Sequence, residues 1–115
     1  MEKIIEKRLK ERENAIQEAE KFVQCVSKKL RIVQAWLFGS YARGDFNEWS
    51  DIDVLIVVRD SLPKRPIDRI DLVMECLEEC NNVEPVIVTV DEFEKMRRKR
   101  NPIVQDIEKH GIRLL

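Results

Sequence analysis

The sequence predicts an α/β domain in which helices cover the faces of a β-sheet. Residues 2–30 carry apolar side chains at helical spacing, and residues 67–80 repeat that pattern. Between them, residues 32–38 and 52–58 are short runs rich in strand-forming side chains. Helical and strand-like segments therefore alternate along the chain, as they do when helices pack on a sheet.

Length and composition define the class of protein. The chain has 115 residues, enough for a single domain over residues 1–115, with a long helix at 2–30 and a core at 31–115. Charged residues make up 37% of the chain and the net charge is −1, so no general attraction to nucleic acid or anionic lipid is expected. No apolar run approaches the roughly 20 residues of a membrane span. We expect a cytoplasmic protein without a membrane or nucleic-acid partner.

The first helix is predicted from its apolar positions, Ile5, Leu9, Ile16, Val23, Val26 and Leu30. Its first two turns are densely charged. Those turns are expected either to form a solvated face, or to stand clear of the core and meet a partner. A possible homo-oligomer stays open as well.

The first two strands flank a short turn. Gly39 permits a close turn after the strand at 32–38, and Ser40 is expected to cap a short helix around residues 41–43. The strand at 52–58 is apolar almost throughout, as expected for burial on both faces.

The second half contains a helix, a strand and two further helices. The helix at 67–80 buries Ile70, Val73, Leu77 and Cys80, and a third strand covers 83–90. Asp91 and Glu94 resemble a capping box for a helix reaching about residue 100. Asn101 and Pro102 begin a last helix that ends at Gly111, and residues 112–115 can add an edge strand. His110 is expected to act as a cation or cap at the end of that helix.

The cysteines are Cys25, Cys76 and Cys80, an odd number without a secretory signal. We expect reduced thiols. Cys76 and Cys80 are four residues apart on a predicted helix and could share a metal ion, but no histidine or further cysteine lies nearby. Filling of the core is therefore the favoured role.

Residues 37–53 carry the candidate chemistry. Asp51 and Asp53 are two residues apart at the start of a strand, so their carboxylates point to the same face. Oxygen ligands of this kind suit Mg²⁺, although a pair of solvated turn acids is the alternative. Gly39 and Ser40 offer backbone amides and a hydroxyl to an anion. Together they indicate metal-assisted chemistry on a nucleoside triphosphate.

The pattern Gly39-Ser40-x-x-Arg43-Gly44, followed by Ser50-Asp51-x-Asp53, resembles the signature of the DNA polymerase β-like nucleotidyltransferase superfamily. In so short a chain it is most similar to the minimal nucleotidyltransferases of archaea and bacteria. The resemblance implies the nucleotidyltransferase fold, with a small mixed β-sheet flanked by helices.

The resemblance also implies a set of site residues. A two-metal transfer needs a third carboxylate on the next long strand, where Glu84 matches best. The family residue is more often Asp, and an ordinary acid at the start of a strand is the alternative for Glu84. Gly39, Ser40, Arg43 and Ser50 are the implied nucleotide-binding residues, with an ion pair to Asp45 or Asp51 as the alternative role of Arg43. The implied cofactors are two Mg²⁺ ions, or Mn²⁺, with ATP as donor.

The implied function is metal-dependent transfer of NMP, here AMP from ATP, to an acceptor hydroxyl. Minimal members of the family are often paired with a helical HEPN-type protein in toxin–antitoxin systems, so the expected acceptor is a hydroxyl of that partner, commonly tyrosine. Two alternatives stay open. The chain could be a nucleotide-binding antitoxin or scaffold that acts by occlusion, or an antibiotic-modifying enzyme whose acceptor domain is supplied in trans.

Overall fold

Four strands form one mixed sheet in the order β3-β2-β1-β4. The computed structural model describes residues 2–115. The strands are β1 (Ile32–Phe38), β2 (Ile52–Val58), β3 (Val83–Thr89) and β4 (Ile112–Arg113). β1 runs antiparallel to both β2 and β4, whereas β2 and β3 are parallel. The predicted small mixed sheet is confirmed.

Six helices surround this sheet in the part of the chain that the structure describes. They are α1 (Glu2–Ser27), α2 (Ser40–Arg43), α3 (Pro66–Leu72), α4 (Met74–Glu79), α5 (Val90–Arg98) and α6 (Pro102–His110). Within residues 2–115, no helix combines the length and apolar character required to cross a membrane.

The central strand β2 is buried on both faces, as its apolar run predicts. Val54, Ile56 and Val58 join the larger core cluster, which also contains side chains of α1 and α4. Leu55 and Val57 face a second cluster built with α5 and α6. Because a shift of one residue would exchange the two faces, packing on both sides fixes the register of β2 and of the carboxylates at its start.

The long helix α1 has a buried half and an exposed half. Phe22 and Val26 are fully buried against the sheet, whereas Ile4, Ile5 and Leu9 are 65%, 57% and 62% exposed. The exposure of these first turns agrees with the solvated face that the sequence analysis considered, and it leaves contact with a partner open. The helix ends at Ser27 and not at residue 30, because residues 28–30 form a turn that leads into β1.

The predicted helix at 67–80 is wrong in one respect, because the structure breaks it into α3 and α4 at Val73. This residue has φ −119° and ψ 16° and is completely buried. Val73, at the break, and Cys76 of α4 both lie in the larger core cluster.

The cap of α5 lies two residues earlier than predicted. The Thr89 hydroxyl accepts a hydrogen bond from Glu92 N (3.1 Å), and the Glu92 carboxylate accepts one from Thr89 N (2.9 Å). Arg69 of α3 donates two further bonds to Glu92, at 2.8 and 2.9 Å. This tertiary contact favours Glu92 over Glu94 as the capping acid, so β3 ends at Thr89.

The expectation of three reduced thiols is wrong, because the structure pairs Cys25 of α1 with Cys76 of α4 in a disulfide. Cys80 is the free, buried cysteine. The two bonded residues are 51 positions apart in the sequence. Their proximity arises because α1 and α4 cover the same face of the sheet, which spacing along the chain does not reveal.

Removal of this disulfide should lower the free energy of unfolding. By the chain-entropy model, a cross-link over 51 residues stabilises the folded state by up to about 4 kcal/mol. We expect Cys25→Ala/Cys76→Ala to unfold at lower urea than the wild type and not to respond to reductant, whereas reductant should lower the unfolding midpoints of both the wild type and Cys80→Ala. Cys80→Ala, which leaves the cross-link intact, is the control. A wild-type midpoint that does not respond to reductant would contradict the pairing in solution.

Candidate active site

The structure brings Asp51, Asp53 and Glu84 to one end of the sheet. Parallel pairing of β2 with β3 places Asp53 opposite Glu84, and antiparallel pairing of β1 with β2 places Phe38 opposite Asp53. Asp51 lies just before β2. Asp53 is half-buried, while Asp51 and Glu84 are exposed. The carboxylates are therefore neighbours, with Asp51 and Asp53 at the start of β2 and Glu84 at the start of β3.

Ionisation of these groups is coupled. Burial first, and then the charges of Glu84, Asp51 and Asp106, raise the pKa of Asp53 from 3.8 to about 6, while Arg43 opposes the shift. The pKa of Glu84 is raised too, first by partial burial and then by a hydrogen bond to Asp51 and by its charge. Like charges are thus crowded here, and a bound cation would relieve the repulsion.

The donor set fits Mg²⁺ in its chemistry. Within residues 3–115, no three acidic, histidine or cysteine side chains converge closely enough to enclose an ion. Asp51, Asp53 and Glu84 instead form an open group of hard oxygen donors. Mg²⁺ typically binds through one or two carboxylates and takes its remaining ligands from water and substrate phosphates.

Gly39 is the residue at which the turn after β1 packs against the start of β2. Its φ is +79° and its ψ −157°, a region essentially reserved for glycine. A Cβ added to Gly39 would overlap the Asp53 carboxylate oxygen Oδ2. Gly39 is also the N-cap of α2, and Ser40 is the first residue of that helix without a capping hydrogen bond. The predicted capping role of Ser40 is therefore wrong.

Asp106 of α6 was not predicted from the sequence, yet it contacts both ends of this turn. Its Oδ2 accepts hydrogen bonds from Gly39 N (2.9 Å) and from Arg43 Nη1 (3.0 Å). Arg43 also pairs with Asp45 through Nε at 3.3 Å, as one of the alternatives expected. The available signal for Asp106 was an acidic residue at the edge of the apolar stripe of α6.

Two arginines of α1 bind carbonyl groups of the same turn and of the residues just after it. Arg12 donates to the carbonyls of Tyr41 and Ala42, both at 2.8 Å. Arg8 donates to the carbonyls of Gly44 (2.9 Å) and Phe46 (3.1 Å) and lies 4.3 Å from the centroid of the Phe46 ring. These contacts could not be predicted from the sequence, because both arginines lie in the densely charged turns of α1.

A cavity of about 660 Å³ opens beside these groups, a volume in the range of small-molecule sites. One wall comes from the turn and the sheet, and the other comes from α6. His110, expected as a helix cap, belongs to that second wall. The principal lining residues are Gly39, Ser40, Arg43, Asp53, Ile103, Asp106, Lys109 and His110.

Ser50 is the one predicted nucleotide-binding residue that the structure does not bring to this cavity. Its hydroxyl accepts a hydrogen bond from Asn47 N (2.9 Å) and so closes a turn. It lines a different pocket, with Glu11 and Tyr41. The same turn exposes 84% of Trp49.

Comparison with known proteins identifies the family. The nucleotidyltransferase domain model matches residues 19–114, and the chain therefore belongs to the nucleotidyltransferase domain family. This confirms the class that the signature predicts. The matched range includes the turn after β1, the carboxylates at the starts of β2 and β3, and the residues that line the cavity.

Two relatives come from Methanocaldococcus jannaschii, and both are provisionally named as protein adenylyltransferases. MJ1305 is 42% identical over 62 residues, which is 50% of this chain and 42% of the relative. MJ0604 is 55% identical over 47 residues, or 39% of this chain and 44% of the relative. The matched segments thus span less than half the length of either relative.

Solved structures share the fold. A provisionally assigned nucleotidyltransferase from Sulfolobus solfataricus has a TM-score of 0.65 and 25% identity, covering 76% of this chain and 78% of its own. A toxin–antitoxin structure with AMP-PNP has a TM-score of 0.56 and 21% identity, covering 83% and 70%. The predicted fold class is confirmed.

Substitution of Gly39 should cost more stability than substitution of Gly44. Both have positive φ, at +79° and +96°, but an added Cβ meets Asp53 at Gly39 and nothing within 4 Å at Gly44. Gly44→Ala therefore reports backbone strain alone, of order 1–3 kcal/mol, and Gly39→Ala adds the steric overlap. Urea unfolding of the two variants measures the difference. Equal losses would show that Asp53 yields freely to a side chain at residue 39.

Asp53→Asn should stabilise the metal-free protein at neutral pH. Because the pKa of folded Asp53 is raised from 3.8 to about 6, its contribution to stability is complete below about pH 4 and is lost as the pH rises through 6. The advantage of the variant in thermal melts should grow over that range and shrink when Mg²⁺ is added. Glu78→Gln, at an exposed acid of α4, is the control. An advantage independent of both pH and Mg²⁺ would contradict this assignment.

Proposed function

We propose that this protein is a metal-dependent nucleotidyltransferase that moves AMP from ATP to an acceptor hydroxyl and releases pyrophosphate. The observation that carries the proposal is the meeting of Asp51, Asp53 and Glu84 at the end of the sheet, next to Gly39 and the cavity. The domain would comprise residues 1–115, and we place it in the cytoplasm.

In this proposal the three carboxylates hold two Mg²⁺ ions, with Mn²⁺ as a substitute. Bound metal would neutralise charge on the transferring phosphoryl group and favour ionisation of the acceptor hydroxyl. Asp51 and Asp53 would hold both ions, and Glu84 would hold the ion at the acceptor. The raised pKa values of Asp53 and Glu84 support this role, because each carboxylate gains more from a neighbouring cation when its ionised form is otherwise disfavoured.

The nucleotide would lie in the cavity between the turn and α6. Ser40 lines this cavity and its hydroxyl makes no capping bond, which leaves it free to orient the triphosphate together with the turn amides. Arg43 and Lys109 add positive charge to the walls. Ser50 stays a predicted contact that would require its turn to open. ATP as donor is supported by the names of the relatives and by the AMP-PNP of the structural neighbour.

The acceptor would be a protein hydroxyl, commonly tyrosine, on a helical HEPN-type partner of a toxin–antitoxin pair. The relatives are named for protein adenylylation, and one structural neighbour is described as the toxin–antitoxin MntA-HpeT, with 21% identity and a TM-score of 0.52. The exposed apolar residues in the first turns of α1 offer a surface for such a partner.

A second candidate is a nucleotide-binding antitoxin that acts by occlusion without transfer. Glu84 supports it, because this side chain is exposed and is longer than the aspartate more common at this position in the family. The two candidates differ in whether AMP is transferred after the nucleotide binds.

Transfer of label from α-labelled ATP to a co-purified partner, run beside equilibrium ATP–Mg²⁺ binding, tests the proposal. Glu84→Gln should abolish transfer and leave ATP affinity within a few-fold, since its role is confined to the acceptor side. Asp51→Asn and Asp53→Asn should lose both, and Glu78→Gln should lose neither. Wild-type transfer by Glu84→Gln would remove Glu84 from the site, and ATP binding without any transfer by the wild type would favour occlusion.

A further inference from the structure

Asp106 links the last helix to both ends of the turn after β1. Its Oδ2 lies 2.9 Å from Gly39 N and 3.0 Å from Arg43 Nη1. We propose that Asp106 is a positioning residue for nucleotide binding, which holds Gly39 and Arg43 in the arrangement that receives the triphosphate. This inference rests on the proposed function, because it concerns the same cavity.

The bond to Gly39 matters because glycine has more accessible backbone conformations than any other residue. The bond favours the one that Gly39 adopts here, at φ +79° and ψ −157°. A carboxylate that accepts from a backbone N–H forms a charge-assisted hydrogen bond, stronger than one between neutral groups. The Asp106 side chain is only 18% exposed, so competition from water is limited.

The bond to Arg43 sets the direction of the guanidinium group. Arg43 has five N–H donors, of which Nη1 binds Asp106 and Nε binds Asp45. Its side chain remains 38% exposed and lines the cavity. Because two of its nitrogens are held by carboxylates, the plane of the guanidinium group is defined. The other N–H donors of Arg43 remain available to phosphate oxygens.

The helix that carries Asp106 is itself anchored. Val104 and Ile107 of α6 are buried in the second core cluster, and the Asn101 side chain caps the helix by accepting from Ile103 N at 2.9 Å. Asp106 lies between these two buried residues in sequence. Packing of α6 on the face of the sheet opposite α1 thus helps to set the position of the turn.

A positioning role and a simple charge effect predict opposite signs. Asp106 carries a negative charge in the wall of a cavity proposed to bind a triphosphate. If it contributed only that charge, or only covered the phosphate site, its removal would strengthen ATP binding. If it positions Gly39 and Arg43, its removal weakens ATP binding even though a repulsive charge has been lost.

The test compares Asp106→Ala and Asp106→Asn with Glu108→Gln, which removes one negative charge from an exposed position on the same helix. Two quantities are measured, the dissociation constant of ATP–Mg²⁺ and the hydrogen-exchange rate of the Gly39 amide without nucleotide. Asp106→Ala should weaken ATP binding by about ten- to a hundredfold, the loss of a charged hydrogen bond, and accelerate exchange at Gly39. Asp106→Asn keeps an acceptor for Gly39, so exchange should stay slow while affinity falls a few-fold.

Unchanged or stronger ATP binding by Asp106→Ala, with the wild type binding normally, would overturn the positioning role alone. Slow exchange at Gly39 in the same variant would overturn it too, whatever the ATP affinity. Faster exchange throughout the chain would show a general loss of stability and would also count against it. A wild type that binds no ATP would instead overturn the proposed function, and with it the nucleotide role of Asp106.

Discussion

The approach of Gly39 to Asp53 is the constraint on which the rest of the site depends. Antiparallel pairing of β1 and β2 brings the turn against the carboxylate, and the absence of a Cβ at residue 39 leaves room for Oδ2. The contact is maintained because β2 is packed on both faces, so the strand cannot move away from the turn. The carboxylate and the turn are therefore held together by the core.

The turn is held by polar contacts from two helices that lie on opposite sides of the sheet. Arg8 and Arg12 of α1 bind its carbonyls, and Asp106 of α6 binds its first amide and Arg43. Each side chain complements its partner, since arginine donates to carbonyl oxygens and a carboxylate accepts from N–H groups. A loop of few residues can thereby keep a defined shape next to a crowded group of acids.

The two halves of the long helix α1 make different contacts: the second half packs in the core, and the first half contacts the turn beside the site. Its second half buries Phe22 and Val26 and is joined to α4 through Cys25 and Cys76. Its first half is exposed apart from the contacts of Arg8 and Arg12 with the turn. The same helix therefore connects the core to the turn after β1.

The sequence by itself determined the strands at 32–38 and 52–58, the close turn at Gly39 and the placement of Asp51 and Asp53 at the start of a strand. These features are local, since periodicity and turn chemistry depend on residues close together in the chain. Only the tertiary structure decided the contacts of Asp106 and the two arginines, and the Cys25–Cys76 disulfide. Asp106 and Gly39 are 67 residues apart, and such a contact exists only once the sheet has placed α6 beside the turn.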